Sequence, residues 1–130
     1  MKRKVLEGLN SAELVELLKK DPSIASKFDE YSLWNRIYPI SWSWLLESRP
    51  QFADKCDKWD EFDAWDWYEL FDQPQFEEKA KQYPSGWAAI LTQKPELARD
   101  CDKWEKFSAE DWSSLLKFQP QFADMRNKQI

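Results

Sequence analysis

Carboxylates dominate the side chains able to do chemistry in this 130-residue chain: 24 Asp and Glu face 19 Lys and Arg, for a net charge of −5. Ten of the acids lie between Asp54 and Glu78, opposed only by Lys55 and Lys58. Seven of them recur at every third residue from Asp54 to Asp72. Cys56, Trp59, Phe62, Trp65, Tyr68 and Phe71 keep the same period. Paired carboxylates can act as general acid and base, yet the usual proton carrier near neutral pH is histidine, and the chain has none. That absence also removes zinc-finger ligand sets and the Ser-His and Cys-His nucleophile pairs. Gly8 and Gly86 are the only glycines, too few for a phosphate-cradling loop, and the glycine-bearing calcium loop of an EF-hand is missing. No enzyme, metal or cofactor is expected.

A concentrated acidic face beside aromatic side chains suits recognition instead. Like charges held close repel, so a fold keeps such a field at a cost unless a partner offsets it. Regular carboxylates can imitate a nucleic-acid backbone, as small acidic inhibitors of nucleic-acid enzymes do. Direct nucleic-acid binding is disfavoured by the net negative charge and the lack of a Lys/Arg stripe. The competing reading of the acidic stretch is a solvated face that serves solubility.

The aromatics are best sorted by asking which of them a repeat requires. Trp42-Ser-Trp-Leu45-Leu46 recurs as Trp67-Tyr-Glu-Leu70-Phe71, Trp87-Ala-Ala-Ile90-Leu91 and Trp112-Ser-Ser-Leu115-Leu116, with Leu14-Val-Glu-Leu17-Leu18 as a weaker first copy. After two or three further residues comes a proline: Pro22, Pro50, Pro74, Pro95 and Pro120. Two positions past it stand Ile24, Phe52, Phe76, Leu97 and Phe122. Nine past it stand Tyr31, Trp59, Tyr83 and Trp104, and three further on Trp34, Phe62 and Phe107. Apolar residues at i, i+3 and i+4 share one helix face. Ser11, Ser41, Asp66 and Asp111 stand where N-caps are wanted, and each proline ends one helix and suits the first turn of the next. Each copy thus reads as two short helices and a connector. Units this small cannot bury their own apolar faces, so stacking must do it.

The expected fold is all-α: a short α-solenoid of about five helix-pair repeats of about 25 residues, within one domain over 1–130. The copies span approximately 11–34, 41–62, 66–83, 86–107 and 111–126, with polar terminal caps. On Arg-Pro-Gln-Phe-Ala-Asp-Lys-Cys-Asp-Lys-Trp at 49–59, Asp-Cys-Asp-Lys-Trp at 100–104 and Gln-Pro-Gln-Phe-Ala-Asp at 119–124, the chain resembles bacterial tandem short helix-pair repeat proteins of unassigned function. In period it is similar to leucine-rich-repeat variants, which alternate α and 3₁₀ helices. Those can carry an iron–sulfur cluster on a cysteine group that this chain lacks. The resemblance implies a scaffold presenting a binding surface.

Cys56 and Cys101 stand six residues past their prolines, where the third copy has Ala80. They read as small buried side chains with free thiols, which suits a reducing cytosol. Glu7, Asn10, Glu13 and Glu16 interrupt the residues after the basic start, so neither signal peptide nor membrane span is expected and a cytoplasmic location is the default. Trp44, Trp65, Tyr68, Tyr38 and Phe118 exceed the needs of the repeat, and Trp44 lies on the helix side away from Trp42. The expected function is a non-catalytic protein-interaction module, more specifically an acidic inhibitor or nucleic-acid mimic of a basic protein. Its proposed contacts are Trp44, Asp60, Asp63, Trp65, Asp66, Tyr68 and Glu69. The alternative is a carbohydrate-binding module using exposed tryptophans and carboxylates.

Overall fold

A computed structural model describes residues 2–129, and in these every regular element is helical. The α-helices are α1 (Arg3–Glu7), α2 (Ser11–Lys20), α3 (Ala25–Tyr31), α4 (Pro39–Ser48), α5 (Ala64–Tyr68), α6 (Pro74–Ala80), α7 (Pro84–Gln93), α8 (Ala109–Phe118) and α9 (Ala123–Lys128). Six-residue 3₁₀ segments, Pro50–Lys55 and Pro95–Asp100, come after α4 and α7, and shorter ones begin at Pro22, Trp34, Trp59, Trp104 and Pro120. The stretch read as 1–130 comprises two compact units, divided between Glu61 and Phe62. In the first, α2 packs against α4. In the second, α7 packs against α5, α6 and α8.

The helices that carry the recurring sequence pattern, α2, α4, α5, α7 and α8, align when counted from their N-caps Asn10, Tyr38, Asp63, Tyr83 and Ser108. The fourth position is Leu14, Trp42, Trp67, Trp87 or Trp112, all buried. These caps correct the expectation that Ser11, Ser41, Asp66 and Asp111 would serve. Asp66 and Asp111 stand three residues inside the helix, and they answer Asp63 and Ser108 in capping boxes like that of Asn10 with Glu13. A carboxylate at this third position reaches back to the free N–H of the cap. The two helices without such a box, α4 and α7, begin instead with Pro39 and Pro84, whose ring needs no N–H partner. Ser11 makes a different contact, in which its Oγ accepts the backbone N–H of Tyr38 at 2.9 Å.

Helix ends repeat as closely as helix starts. The residue before the proline turns to φ near −133° and ψ near 70° at Arg49, Lys94 and Gln119, out of the α region that a following proline disfavours. Its N–H still donates four residues back, from Arg49 to Leu45 at 2.7 Å and from Gln119 to Leu115 at 2.8 Å. At Arg49 and Gln119 the side chain reaches to the neighbouring helix. Arg49 Nη2 donates to the Lys19 carbonyl of α2 at 2.7 Å, and Gln119 Nε2 donates to the Thr92 carbonyl of α7 at 2.9 Å. Both carbonyls belong to last-turn residues that lack an intrahelical donor.

The third copy departs because its sequence is one residue shorter between Trp67 and Pro74 than the others are between Trp42 and Pro50 or Trp87 and Pro95. With that residue gone, α5 stops at Tyr68 and Gln73 donates only three back, to Leu70 at 3.1 Å.

Aromatic stacking supplies much of the core. Trp34 lies nearly parallel to Trp42 at 5.7 Å and tilts against Phe28 and Phe52. Trp104 repeats this with Trp112, also at 5.7 Å, and with Phe122. Trp34 is therefore the counterpart of Trp59 and Trp104, each the first residue of a 3₁₀ turn, rather than of Phe62 and Phe107. The first copy carries three extra residues, and they convert its post-proline segment into α3. Tyr31, read as the ladder residue, instead has Arg3 and Lys27 over its ring. In the second unit the glycine at 86 is needed for contact. A Cβ there would stand 2.0 Å from the Ala80 carbonyl oxygen, so only glycine lets α6 end against α7.

Candidate interaction surface

The residues singled out for recognition are divided between the two units. Trp44 and Asp60 belong to the first unit, and Asp63, Trp65, Asp66, Tyr68 and Glu69 to the second. The period of three that links the acids crosses a 3₁₀ segment, an extended stretch, a second 3₁₀ turn and the α-helix α5. Because these have different residues per turn, a spacing constant in sequence is not constant in direction.

Several carboxylates are already engaged. Asp66 is only 7% exposed. Its Oδ2 accepts the Asp63 N–H at 3.0 Å, while Asp63 Oδ1 accepts the Asp66 N–H at 2.9 Å. Burial, aided by the neighbouring Asp63 and Glu69 charges, pushes the Asp66 carboxyl up to about 6. Asp111 is raised in the same sense by burial, against the lowering effect of its hydrogen bonds with Ser108. Glu77 is bound by Lys94 Nζ at 2.9 and 3.1 Å, and Glu78 by Lys81 at 2.9 Å. Asp60, Glu61, Asp63, Glu69 and Asp72 remain exposed.

Trp44 is 42% exposed on α4, with Ile40 one turn before it also exposed. Trp65 is 54% exposed at the second position of α5, and it does not stand alone. Its ring meets Phe118 of α8 edge-on at 6.1 Å and Tyr68 at 5.4 Å. Tyr68 is half-buried, and burial raises its phenol while the Thr92 hydroxyl opposes that shift. On the other side of Trp65 opens a cleft of about 270 Å³ lined by Asp63, Ala64, Glu110, Asp111, Ser113 and Ser114. The starts of α5 and α8 thus bring Asp63 and Glu110 to one depression, which Asp111 also lines. Glu110 escaped the sequence reading because it is 47 residues from Asp63. The available signal was its place in the repeat register, where Trp65 and Glu110 both hold the second helical position.

Neither cysteine is in a disulfide; both are buried, and burial lifts the Cys101 thiol to about 11. Among the described residues no group of His, Cys, Asp and Glu has the arrangement of a metal site, and no helix is long and apolar enough to cross a membrane. Comparison with protein families, with curated proteins and with solved structures finds no match to this chain.

Proposed function

We propose that this chain is a non-catalytic interaction module, an α-solenoid of five short helix-pair repeats, whose second unit binds a basic segment of a partner protein. The observation that carries this is the exposed Trp65–Phe118 pair standing beside the cleft of Asp63 and Glu110. An aromatic anchor next to fixed carboxylates matches a chain that alternates apolar and cationic side chains. The aromatic supplies desolvated contact area, and the acids supply orientation and encounter rate. The two capping boxes take up the N–H groups of Asp63, Asp66, Ser108 and Asp111, and the carboxylates of Asp63, Glu110 and Asp111 line the cleft.

A narrower form of this reading makes the partner a basic nucleic-acid-binding protein whose site is occupied by the acidic surface. Carbohydrate binding is the second reading, favoured by the exposure of Trp44 and Trp65. We propose a cytoplasmic location with either reading.

The test is affinity capture from nuclease-treated lysate, with the parent beside Trp65→Ser and Glu110→Lys. These positions are exposed and belong to neither capping pair, so both variants should fold. A basic protein retained by the parent, released by moderate salt and lost in both variants supports the proposal, since screening shortens the Debye length below about 10 Å. Identical retention by all three proteins rejects it. Retention released by free sugar and indifferent to salt selects the carbohydrate reading.

A further inference from the structure

The aligned helices carry a second pattern, visible in where burial fails. The seventh position after the cap is fully covered at Leu45, Ile90 and Leu115, in helices that have a preceding helix packed on them. Its counterpart in α2, Leu17, is half-exposed. It lines a mostly apolar groove of about 400 Å³ with Val5, Leu9 and Ala12, edged by Glu13, Glu16 and Lys20. The fifth and eighth positions show the converse. Val15 and Leu18 of α2, and Ala88 and Leu91 of α7, are buried, in helices packed against the next copy's α4 and α8. The one-residue-shorter α5 departs from this, with Tyr68 and Phe71 half-buried although α7 packs on it, and Ser43 and Leu46 of α4 are buried as well. Their counterparts in α8 are the exposed Ser113 and the half-buried Leu116. These line a depression of about 730 Å³ with Trp104, Phe107, Lys117 and Arg126.

The leading face of α2 and the trailing face of α8 are therefore the two halves of one kind of contact, the kind that joins α2 to α4 and α7 to α8. We propose that they meet between molecules, the trailing face of α8 in one copy docking on the leading face of α2 in another. Helix packing at about 8–10 Å would then continue across the junction. The charges agree. Glu13 and Glu16 edge the leading groove and Lys117 and Arg126 the trailing one, each groove holding one charge of the other sign, Lys20 and Glu105. Because the two faces differ, the association is heterologous, giving chains or rings of copies.

Sedimentation velocity of the full chain tests this. The weight-average mass should rise with concentration and pass that of two copies. Leu17→Lys and Leu116→Lys, each blocking one face, should weaken self-association by about tenfold or more. Mixing the two should restore a dimer and nothing larger, because only one intact junction can form. Far-UV circular dichroism checks each variant. Should either fail to fold, Glu16→Lys and Arg126→Glu carry the same test: each alone weakens association and the mixture of both restores it. A parent that keeps one mass from about 1 μM to about 1 mM overturns the proposal. So does a Leu17→Lys protein that self-associates like the parent, or a mixture of blocked variants that stays monomeric. Trp65→Ser should leave association unchanged, which separates this junction from the partner surface.

Discussion

Asp63 and Asp66 each accept the other's backbone N–H, at 2.9 and 3.0 Å, so two members of the acidic row close the start of α5 before they face any partner. Asp66 is the member that burial withdraws from solvent, and its folded-state pKa of about 6 lies above its ordinary value of 3.8. Its charged form is therefore disfavoured in the fold.

The sign of the pH dependence is set by that shift. Between 3.8 and about 6 the folded state holds a proton at Asp66 that the unfolded state releases, so lowering the pH through this window stabilises the fold. Asp111 acts in the same direction. Thermal unfolding at pH 7.5 and pH 5 should show this gain (buffers chosen about the Asp66 pKa). Asp66→Asn keeps an oxygen for the Asp63 N–H and should flatten the gain without loss of stability at neutral pH. Asp63→Ala removes the cap itself and should cost about 1 kcal/mol.

Gly86→Ala should be the most damaging single-methyl change in the chain. The new Cβ would sit 2.0 Å from the Ala80 oxygen and 2.6 Å from its carbon, atoms of backbone that cannot rotate aside. Overpacking of this kind costs about 1–3 kcal/mol or more, readable by urea unfolding. Gly8→Ala is the control, since its nearest neighbour would be the Lys4 oxygen at 3.4 Å, an ordinary contact.

Arg49 and Gln119 should prove equivalent despite sharing no chemistry beyond N–H donation. Replacing either with Ala leaves the carbonyl of Lys19 or Thr92 without its donor, at a cost of about 1–3 kcal/mol. Hydrogen exchange will locate the loss: α2 and α4 should open faster in Arg49→Ala, and α7 and α8 in Gln119→Ala. Arg49→Lys should not fully rescue, because Nε and Nη2 both donate to the same oxygen.

The Cys101 thiol, held at about 11 by burial, should be almost entirely protonated at pH 7.5 and alkylate far more slowly than a small-molecule thiol. Its rate with iodoacetamide should jump on adding denaturant. A rate equal to that of the unfolded chain would mean that this site opens freely.

The helical class, the recurring Trp-Leu-Leu face and the proline punctuation were legible in the residues because each is local. A helix face needs only spacing, and a proline acts on its immediate neighbours. The short α5 was also written there, as one missing residue before Pro74. The register of Trp34 was not, because three inserted residues in the first copy are compensated by α3, and only the stack on Trp42 shows which aromatic holds the ladder position.

The acidic row shows the division most plainly. Sequence alone determined how many carboxylates the chain carries and that they lie close together between Asp54 and Glu78. The tertiary structure decided which of them face water. Asp66 turns back onto its own helix start, Glu77 is taken by Lys94 from seventeen residues away, and Glu110 joins Asp63 across two helices. Charge is a property of the residue, but the direction of a side chain depends on the element that carries it and on what packs beside that element.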